Sequence, residues 1–163
     1  MLLQKEIGKA MATKIDLIAR VPLFSPLKDS ELERIADLTQ THTFQRGDVI
    51  IREGDKDRRL FVIMSGEVEV VKGLDSEKGW RLRVLGPHDY FGEMALIDDS
   101  ARSASVVAKV DTKVLSLDKR DFHQAMKKYP AMAFELLQTL SRRIRELEDA
   151  ITSTLGAILS LLE

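Results

Sequence analysis

The sequence predicts a mainly β fold with flanking helices: a double-stranded β-helix (jelly roll), preceded by N-terminal helices and followed by a long C-terminal dimerisation helix. Glycines recur every 6 to 12 residues between positions 47 and 92, separated by short runs rich in Val, Ile, Leu and Phe. Before position 40 and after position 118, apolar residues recur at helical spacing instead. About eight short strands with regular turns are typical of an antiparallel barrel or a double-sheet jelly roll.

The N-terminal part, residues 1–40, is expected to form two helices. Apolar residues spaced three or four apart predict an amphipathic helix over residues 1–20, namely Ile7, Met11, Ile15 and Ile18. Pro22 ends this helix, because the residue before a proline is disfavoured in the α conformation. Ser30 and Glu33 have the spacing of a capping box, which predicts that a second short helix begins there.

The middle part, residues 41–118, is expected to form the β-roll. Residues 67–70 alternate between polar and apolar side chains, as expected for a strand with one buried face. The pattern breaks near residues 92–101 and resumes over 103–108 and 112–117. The other runs that we assign to strands are Val49–Ile51, Leu60–Met64, Val68–Val71 and Leu82–Leu85.

The C-terminal part, residues 119–163, is expected to be helical. Asp118 can cap a short helix over 119–128, and Pro130 is well placed as the first residue of the next helix. Apolar residues on that helix follow a heptad-like seam: Leu137, Leu140, Ile144, Leu147, Ile151, Leu155, Ile158 and Leu162. A helix over 130–160 would be about 45 Å long, too long to be buried along its whole length on a small barrel. We therefore expect a homodimeric coiled coil rather than packing within one chain.

Composition excludes several classes of protein. Lys and Arg number 25 against 26 Asp and Glu, so the net charge of −1 carries no overall bias toward nucleic acid. The absence of cysteine excludes disulfides, thiolate catalysis and cysteine-ligated metals. Charges at Lys5, Glu6 and Lys9 lie where a signal peptide needs an apolar run, and the longest uncharged stretch, 151–162, is too short to span a bilayer. We expect a cytoplasmic protein that binds neither nucleic acid nor membranes.

The segment over residues 91–108 carries the chemical information. It interrupts the strand pattern with one predicted turn of helix that starts at Gly92, followed by Arg102 at the edge of the next strand. Glycine permits a close approach of the backbone, and the start of a helix presents free N–H groups to an anion. Arg102 offers a planar fork to two phosphate oxygens. Glu93 can accept a hydrogen bond from a ribose hydroxyl, so the set suits a cyclic phosphate and its sugar.

This segment resembles the phosphate-binding cassette of the cyclic nucleotide-binding domain family, in which F-G-E-x-A-L is followed, after a short loop, by R-S/T/A-A. The family includes catabolite-activator-like regulators, protein kinase A regulatory subunits and cyclic-nucleotide-gated channels. The resemblance extends over roughly residues 20 to 160. It also includes the segments Val21–Ser25, Gly47–Ile50, Leu60–Gly66 and Leu140–Ile144.

The resemblance implies a ligand, cAMP or cGMP, and a role for each residue of the cassette. Glu93 would accept from the ribose 2′-hydroxyl, and Arg102 would neutralise the cyclic phosphate with help from the Ser103 hydroxyl and nearby backbone N–H groups. Gly92 would let the sugar approach closely. The ligand-binding residues implied are Gly92, Glu93, Met94, Ala95, Arg102, Ser103 and Ala104.

The sequence departs from the family in two regions. Ala101 stands where many cassettes carry a proline, so the loop is less rigid. On the dimer helix, an ungapped match places Leu147 and Glu148 where the catabolite-activator branch contacts the base through threonine and serine, so neither donor is reproduced. The candidates for a base contact are Arg143 and Leu147. Neither distinguishes cAMP from cGMP, and Ser103 favours cAMP only slightly over the threonine of cGMP-binding channel-like members.

The predicted function is that of a non-catalytic regulatory module, which binds a cyclic nucleotide and signals to a separate protein through movement of its C-terminal helices. No catalytic constellation, metal site or cofactor is predicted, because His42, His88 and His123 are scattered without ligand spacing. No helix-turn-helix domain follows before Glu163. Two alternatives stay open: a catabolite-activator-type transcriptional regulator without its DNA-binding domain, and a ligand-free structural dimerisation module. For Arg102 the alternative is a structural ion pair with Asp98 or Asp99.

Overall fold

The computed structural model describes residues 2–162 and confirms the predicted β-roll with flanking helices. The helices are α1 (Leu2–Ala19), a short 3₁₀ helix (Pro22–Phe24), α2 (Asp29–Leu38), α3 (Met94–Ile97), α4 (Lys119–Lys128) and α5 (Pro130–Leu162). The strands are β1 (Gln40–Phe44), β2 (Val49–Ile51), β3 (Arg59–Ser65), β4 (Val68–Lys72), β5 (Trp80–Leu85), β6 (Tyr90–Phe91), β7 (Ser105–Ala108) and β8 (Thr112–Asp118).

The strands pair antiparallel in two four-stranded sheets. One sheet has the order β1-β8-β3-β6 and the other the order β2-β7-β4-β5. Strands from the two ends of the β-region lie side by side, since β1 pairs with β8 and β2 pairs with β7. This winding is that of a jelly roll. The chain leaves β6 and enters residues 92–104 at the edge of the first sheet, which places that segment beside the interior of the roll.

Two hydrophobic clusters form the core, and β3 contributes to both. Leu60 and Val62 pack against the helices, whereas Phe61 and Ile63 face the other sheet. The unbroken apolar run of β3 therefore reflects a strand that is buried on both faces. Phe61 also stacks on Phe91, with 5.2 Å between the ring centroids. This stack fixes β6, and with it the start of the segment over 92–104, to the core.

The start of α2 differs from the prediction. The predicted capping box at Ser30 and Glu33 is wrong, because α2 begins at Asp29. The Glu31 carboxylate accepts a hydrogen bond from the Lys28 backbone N–H at 2.8 Å, which satisfies a donor just before the helix. Acidic residues in the first turn also complement the helix dipole.

The long C-terminal helix changes surroundings along its length. Pro130 is its first residue, as predicted, and Met132 and Leu136 in the first turns are buried under the roll. From Ile144 onward its large apolar side chains are exposed. At 33 residues the helix is about 50 Å long, so its outer part extends beyond the packed body. Within residues 2–162, no helix combines the length and apolarity needed to cross a membrane.

Candidate functional site

An open cavity lies at the mouth of the roll, between the second sheet, the segment after β6 and α5. Its space is about 460 Å³, including the part that is open to solvent. Side chains from β2, β4, β5, β6, β7 and α5 line it. The predicted site residues that line this cavity are Gly92, Glu93, Met94, Ala95, Arg102, Ser103, Ala104 and Arg143. The fold thus brings together residues that lie up to 51 positions apart in the sequence.

Arg102 is held in the wall of the cavity by backbone carbonyls. Its Nη1 donates to the carbonyl oxygen of Gly92 and its Nη2 to that of Arg59, both at 2.7 Å. The residue is only 4% exposed, and its Nε has no hydrogen-bond partner within the described residues. A buried cation that is fixed in direction but incompletely satisfied is a favourable partner for an anion.

Gly92 makes room for this arginine. Its φ is +89°, and a Cβ built there would lie 2.6 Å from Arg102 Nη1 and 2.8 Å from the Arg59 carbonyl oxygen. Only glycine satisfies both the backbone conformation and the space. The sequence predicted that a helical turn starts at Gly92, but the regular helix α3 begins at Met94. The left-handed φ of Gly92 cannot belong to a right-handed helix.

The charge of Arg102 is balanced only at a distance. The nearest carboxylate, Asp57, has its Oδ2 4.0 Å from Arg102 Nη2 and is engaged at 2.8 Å by Arg59 Nη2. Burial acts to raise the pKa of Asp57, but its hydrogen bond with Arg59 and the charges of Arg59 and Arg102 together hold that pKa below its ordinary value. Burial lowers the pKa of Arg102, because it disfavours the charged guanidinium, and the charge of Asp57 opposes this shift only in part.

The alternative partners considered for Arg102 are engaged elsewhere. Asp99 pairs with Arg58 and Lys119. Asp98 accepts a hydrogen bond from the Ser100 backbone N–H at 3.0 Å. A structural ion pair between Arg102 and either of these acids is therefore not formed, and the arginine faces the cavity.

Glu93 connects the cavity to the long helix. It is 3% exposed, and its carboxylate accepts a hydrogen bond from Nη1 of Arg143 on α5. The Arg143 guanidinium carbon also lies 5.8 Å from the centre of the Tyr90 ring. Burial raises the pKa of the Tyr90 hydroxyl above its ordinary value. A ligand that contacts Glu93 would therefore contact a residue that is paired with α5.

At two residues the lining of the cavity differs from the set predicted from the sequence. Leu147, the other candidate for a base contact, is 62% exposed and does not line the cavity. It lies one helical turn beyond Arg143, about 6 Å further along the axis and past the rim of the cavity. Arg83 does line the cavity, although the sequence analysis did not select it. The signal was present, since Arg83 and Leu85 are two apart on one strand and must share a face.

The comparisons with known proteins are consistent with this geometry. A family model described as "Cyclic nucleotide-binding domain" matches residues 41–129. The cyclic AMP receptor protein of Thermus thermophilus is 34% identical over 125 residues, covering 77% of this chain and 58% of that protein. A cGMP-dependent protein kinase of Caenorhabditis briggsae is 36% identical over 110 residues, covering 66% of this chain and 15% of that protein.

Solved structures share the fold along most of the chain. A crystal structure of a cyclic nucleotide-binding domain from Methylobacillus flagellatus superimposes with a TM-score of 0.74 at 27% identity. It covers 90% of this chain and 84% of that one. By contrast, the chain spans less than two thirds of the length of either relative matched by sequence. Among residues 2–162 no group of three or more His, Asp or Glu side chains could hold a metal ion.

Proposed function

Because the chain belongs to the cyclic nucleotide-binding domain family, we propose that it is a non-catalytic regulatory module that binds a cyclic nucleotide in the cavity at the mouth of the roll. Its ligand is cAMP or cGMP, held by the predicted residues that line this cavity. Binding shifts the position of α5, and a separate protein receives the signal. The observation that carries this proposal is Arg102, a buried and immobilised cation in a cavity wall.

The charge of the cavity favours an anion. Three arginines, Arg83, Arg102 and Arg143, and one glutamate, Glu93, line it, which leaves two net positive charges. A cyclic phosphate carries one negative charge and exposes two free oxygens, which suits a guanidinium whose position is already fixed. Since the carbonyls of Gly92 and Arg59 hold Arg102 before ligand arrives, little side-chain entropy remains to be lost on binding.

Glu93 supplies a hydrogen-bond acceptor at a second position in the cavity. Its buried carboxylate can accept a hydrogen bond from a ribose hydroxyl, while Arg143 balances its charge. The apolar wall formed by Val70, Leu85 and Val106 then offers a surface for the base. The cavity thus contains a cation for the phosphate, an acceptor for the sugar and apolar area for the base.

The ion pair between Glu93 and Arg143 provides the route from ligand to helix. A ribose hydroxyl that bonds to Glu93 changes how strongly this carboxylate holds Arg143, and Arg143 lies on α5. A ligand shifts an equilibrium between helix positions only by its differential affinity for them. Glu93 supplies this difference in affinity, because it lines the cavity and is also paired with Arg143 of α5.

We also propose that two copies of the chain pair through the outer part of α5. Its seam residues stay exposed on the single chain, including Ile151 at 59% and Leu155 at 55%. A contiguous apolar stripe of this kind is characteristic of an interface. Heptad-like spacing further favours a coiled coil of two helices.

The proposal is tested by isothermal titration calorimetry with cAMP and cGMP on the wild type and on Arg102→Ala. Two charge-assisted hydrogen bonds of about 1.5 kcal/mol each predict that Arg102→Ala weakens binding by about 100-fold. Arg102→Lys, which keeps the charge but not the fork, should bind with intermediate affinity. Arg52→Ala is the matched control, because Arg52 forms a surface ion pair with Asp75 outside the cavity and should leave the affinity unchanged.

Thermal unfolding of each variant shows whether it is folded. A wild type that binds neither nucleotide at millimolar concentration would contradict the proposal. It would leave the structural dimerisation module as the better interpretation.

A further inference from the structure

The last two turns of α5, residues 155–162, carry more apolar side chains than a seam between two helices can cover. This segment, the tip, has Leu155, Ile158 and Leu162 on the seam, and Leu159 and Leu161 beside it. All five side chains are exposed, from 48% at Ile158 to 85% at Leu161. At about 100° per residue, Leu159 and Leu161 lie on opposite flanks of the seam, so they roughly double the width of the apolar stripe.

The preceding part of the same helix is polar on both sides of the seam. Six of the eight residues over 142–149 are charged, whereas no charged residue occurs over 151–162. Apolar residues at the a and d positions alone suit two helices, while additional apolar residues at e or g are typical of helices in a bundle. A two-stranded coil therefore covers the seam over 144–151 but leaves Leu159 and Leu161 in contact with water.

The order of the seam residues also changes at the tip. Over residues 144–151 isoleucine occupies a and leucine occupies d, an order that favours two parallel strands. A four-residue step from Ile151 to Leu155 then shifts the heptad, so that the tip has leucine at a and isoleucine at d. In parallel coils this reversed order favours three or four strands. The tip thus lacks the residue order that limits α5 to two strands.

We propose that the tips of two dimers pack on one another, so that four copies of the chain form a tetramer. This inference rests on the pairing of two copies proposed above. A dimer brings two tips together, and a second dimer carries the same uncharged surface of leucine and isoleucine, so the two surfaces can interdigitate. The tip has no charged side chain with which to select a partner of different chemistry.

The charges before the tip determine how the two dimers meet. Overlap beyond the tip would bring the apolar surface of one dimer against the charged residues over 142–149 of the other, which is unfavourable. The contact is therefore confined to the tips, and the two dimers lie end to end with their β-rolls at opposite ends. This arrangement is a closed dimer of dimers.

The contact between tips is expected to be weaker than the seam of each dimer. The overlap is only about 12 Å long, and Gly156 lowers the helix propensity within it. Dimers should therefore form at low protein concentration and tetramers only at higher concentration.

The experiment is sedimentation equilibrium of the wild-type chain from low micromolar to near-millimolar concentration. We expect the mass to rise from twice to four times the 18.4 kDa chain mass as the concentration increases. Small-angle X-ray scattering of the tetramer should give two separate maxima in the distribution of interatomic distances, because the β-rolls lie at opposite ends.

Two double variants remove the flanks of the tip and leave the seam in place. Leu159→Asp/Leu161→Asp places eight charges in the tetramer interface and should raise the dimer–tetramer dissociation constant at least about 100-fold. Leu159→Ala/Leu161→Ala removes the apolar area with a residue of high helix propensity, and it should weaken the tetramer without melting the tip. Both variants should remain dimers.

Ser153→Asp/Ser160→Asp is the matched control. It adds the same number of charges to the same part of α5, but on the face opposite the seam, so the tetramer should persist. Circular dichroism and thermal unfolding of each variant show whether it is folded.

The outcomes separate this inference from the pairing on which it rests. A wild type that is monomeric at every concentration contradicts the dimer and the tetramer together. A wild type that stays dimeric leaves the dimer standing and overturns the inference, whether or not that dimer binds phosphatidylcholine vesicles through its tips. A tetramer that survives both leucine variants, or that gives a single compact maximum in scattering, also overturns it. Calorimetry with cAMP and cGMP tests nucleotide binding independently of these masses.

Discussion

The segment over residues 91–104 and the outer half of α5 both carry strong sequence patterns, but the structure satisfies them differently. In the segment, Gly92 makes space for Arg102, and its own carbonyl then holds that arginine. On α5, the apolar seam beyond Ile144 packs against nothing within the described chain. Residues whose predicted contacts form within the chain, such as Arg102, indicate a preformed site. Apolar residues that stay exposed, such as the seam of α5, indicate an interaction with another molecule.

The difference has a physical origin in the range of the interactions. The segment is short and lies on a two-sheet scaffold, so backbone carbonyls from β3 and from the segment itself reach Arg102. The outer part of α5 extends beyond the body, where the chain has no surface left to cover it. Burying exposed apolar area contributes about 25 cal/mol per Å², which is a strong drive for association.

The largest expected effect follows from breaking the seam of α5. The double variant Ile151→Asp/Leu155→Asp places four charges in a symmetric dimer interface and should raise the dimer dissociation constant by at least about 100-fold. Sedimentation equilibrium measures it as a change from twice the 18.4 kDa chain mass to the chain mass itself. Ser153→Asp, on the opposite face of the same helix, should leave the dimer intact. A wild type that is monomeric at all concentrations would contradict the dimer.

A smaller effect is expected from filling the space beside Arg102. Gly92→Ala places a methyl group against a guanidinium and a carbonyl at a positive φ, which should lower the free energy of unfolding by roughly 1–3 kcal/mol and weaken nucleotide binding. Gly54→Ala is the control, because Gly54 has a similar φ of +87° with nothing within 4 Å of the added carbon.

Chemical denaturation and calorimetry compare these two glycine variants. Both lose stability from backbone strain, but only Gly92→Ala should lose affinity. Equal affinities in the two variants would mean that Gly92 does not position Arg102.

The smallest effect concerns the distant counter-charge of Arg102. The pKa of the Asp57 carboxyl is lower in the folded chain than its ordinary value. Ionised Asp57 therefore stabilises the fold at every pH above that ordinary pKa, and this stabilisation is lost as the pH falls through the folded pKa. Asp57→Asn should therefore cost on the order of 1 kcal/mol at pH 7, with a difference from wild type that shrinks below about pH 4. Urea denaturation across this range tests the sign, and a difference that grows on acidification would contradict it.

Much of the fold followed from local patterns. Glycine spacing and alternation located the strands, and Pro22 and Pro130 located helix boundaries, because backbone restrictions act over one or two residues. The start of α2 was predicted to within one residue, but its capping box was predicted wrongly. Glu31 and Glu33 could each complete a cap, and only the extended backbone at Lys28 selected Glu31.

The candidate site was predictable only in part. The segment from Gly92 to Ala104 is contiguous, so its residues could be selected together from the sequence. Asp57 lies just before β3, Arg59 on β3 and Arg83 on β5, and nothing local distinguishes them from ordinary surface charges. Leu147 was selected by alignment along a helix, but the rim of the cavity ends one turn earlier.

The sequence by itself determined the β-roll, the order of its elements and the anion-binding character of residues 92–104, because periodicity and side-chain chemistry are local properties. The tertiary structure alone decided which cations are neutralised and which are free. The Arg59 carbonyl reaches Arg102, Glu93 pairs with Arg143, and Arg83 has no side-chain partner within residues 2–162, because those contacts depend on how distant strands and α5 meet around one cavity.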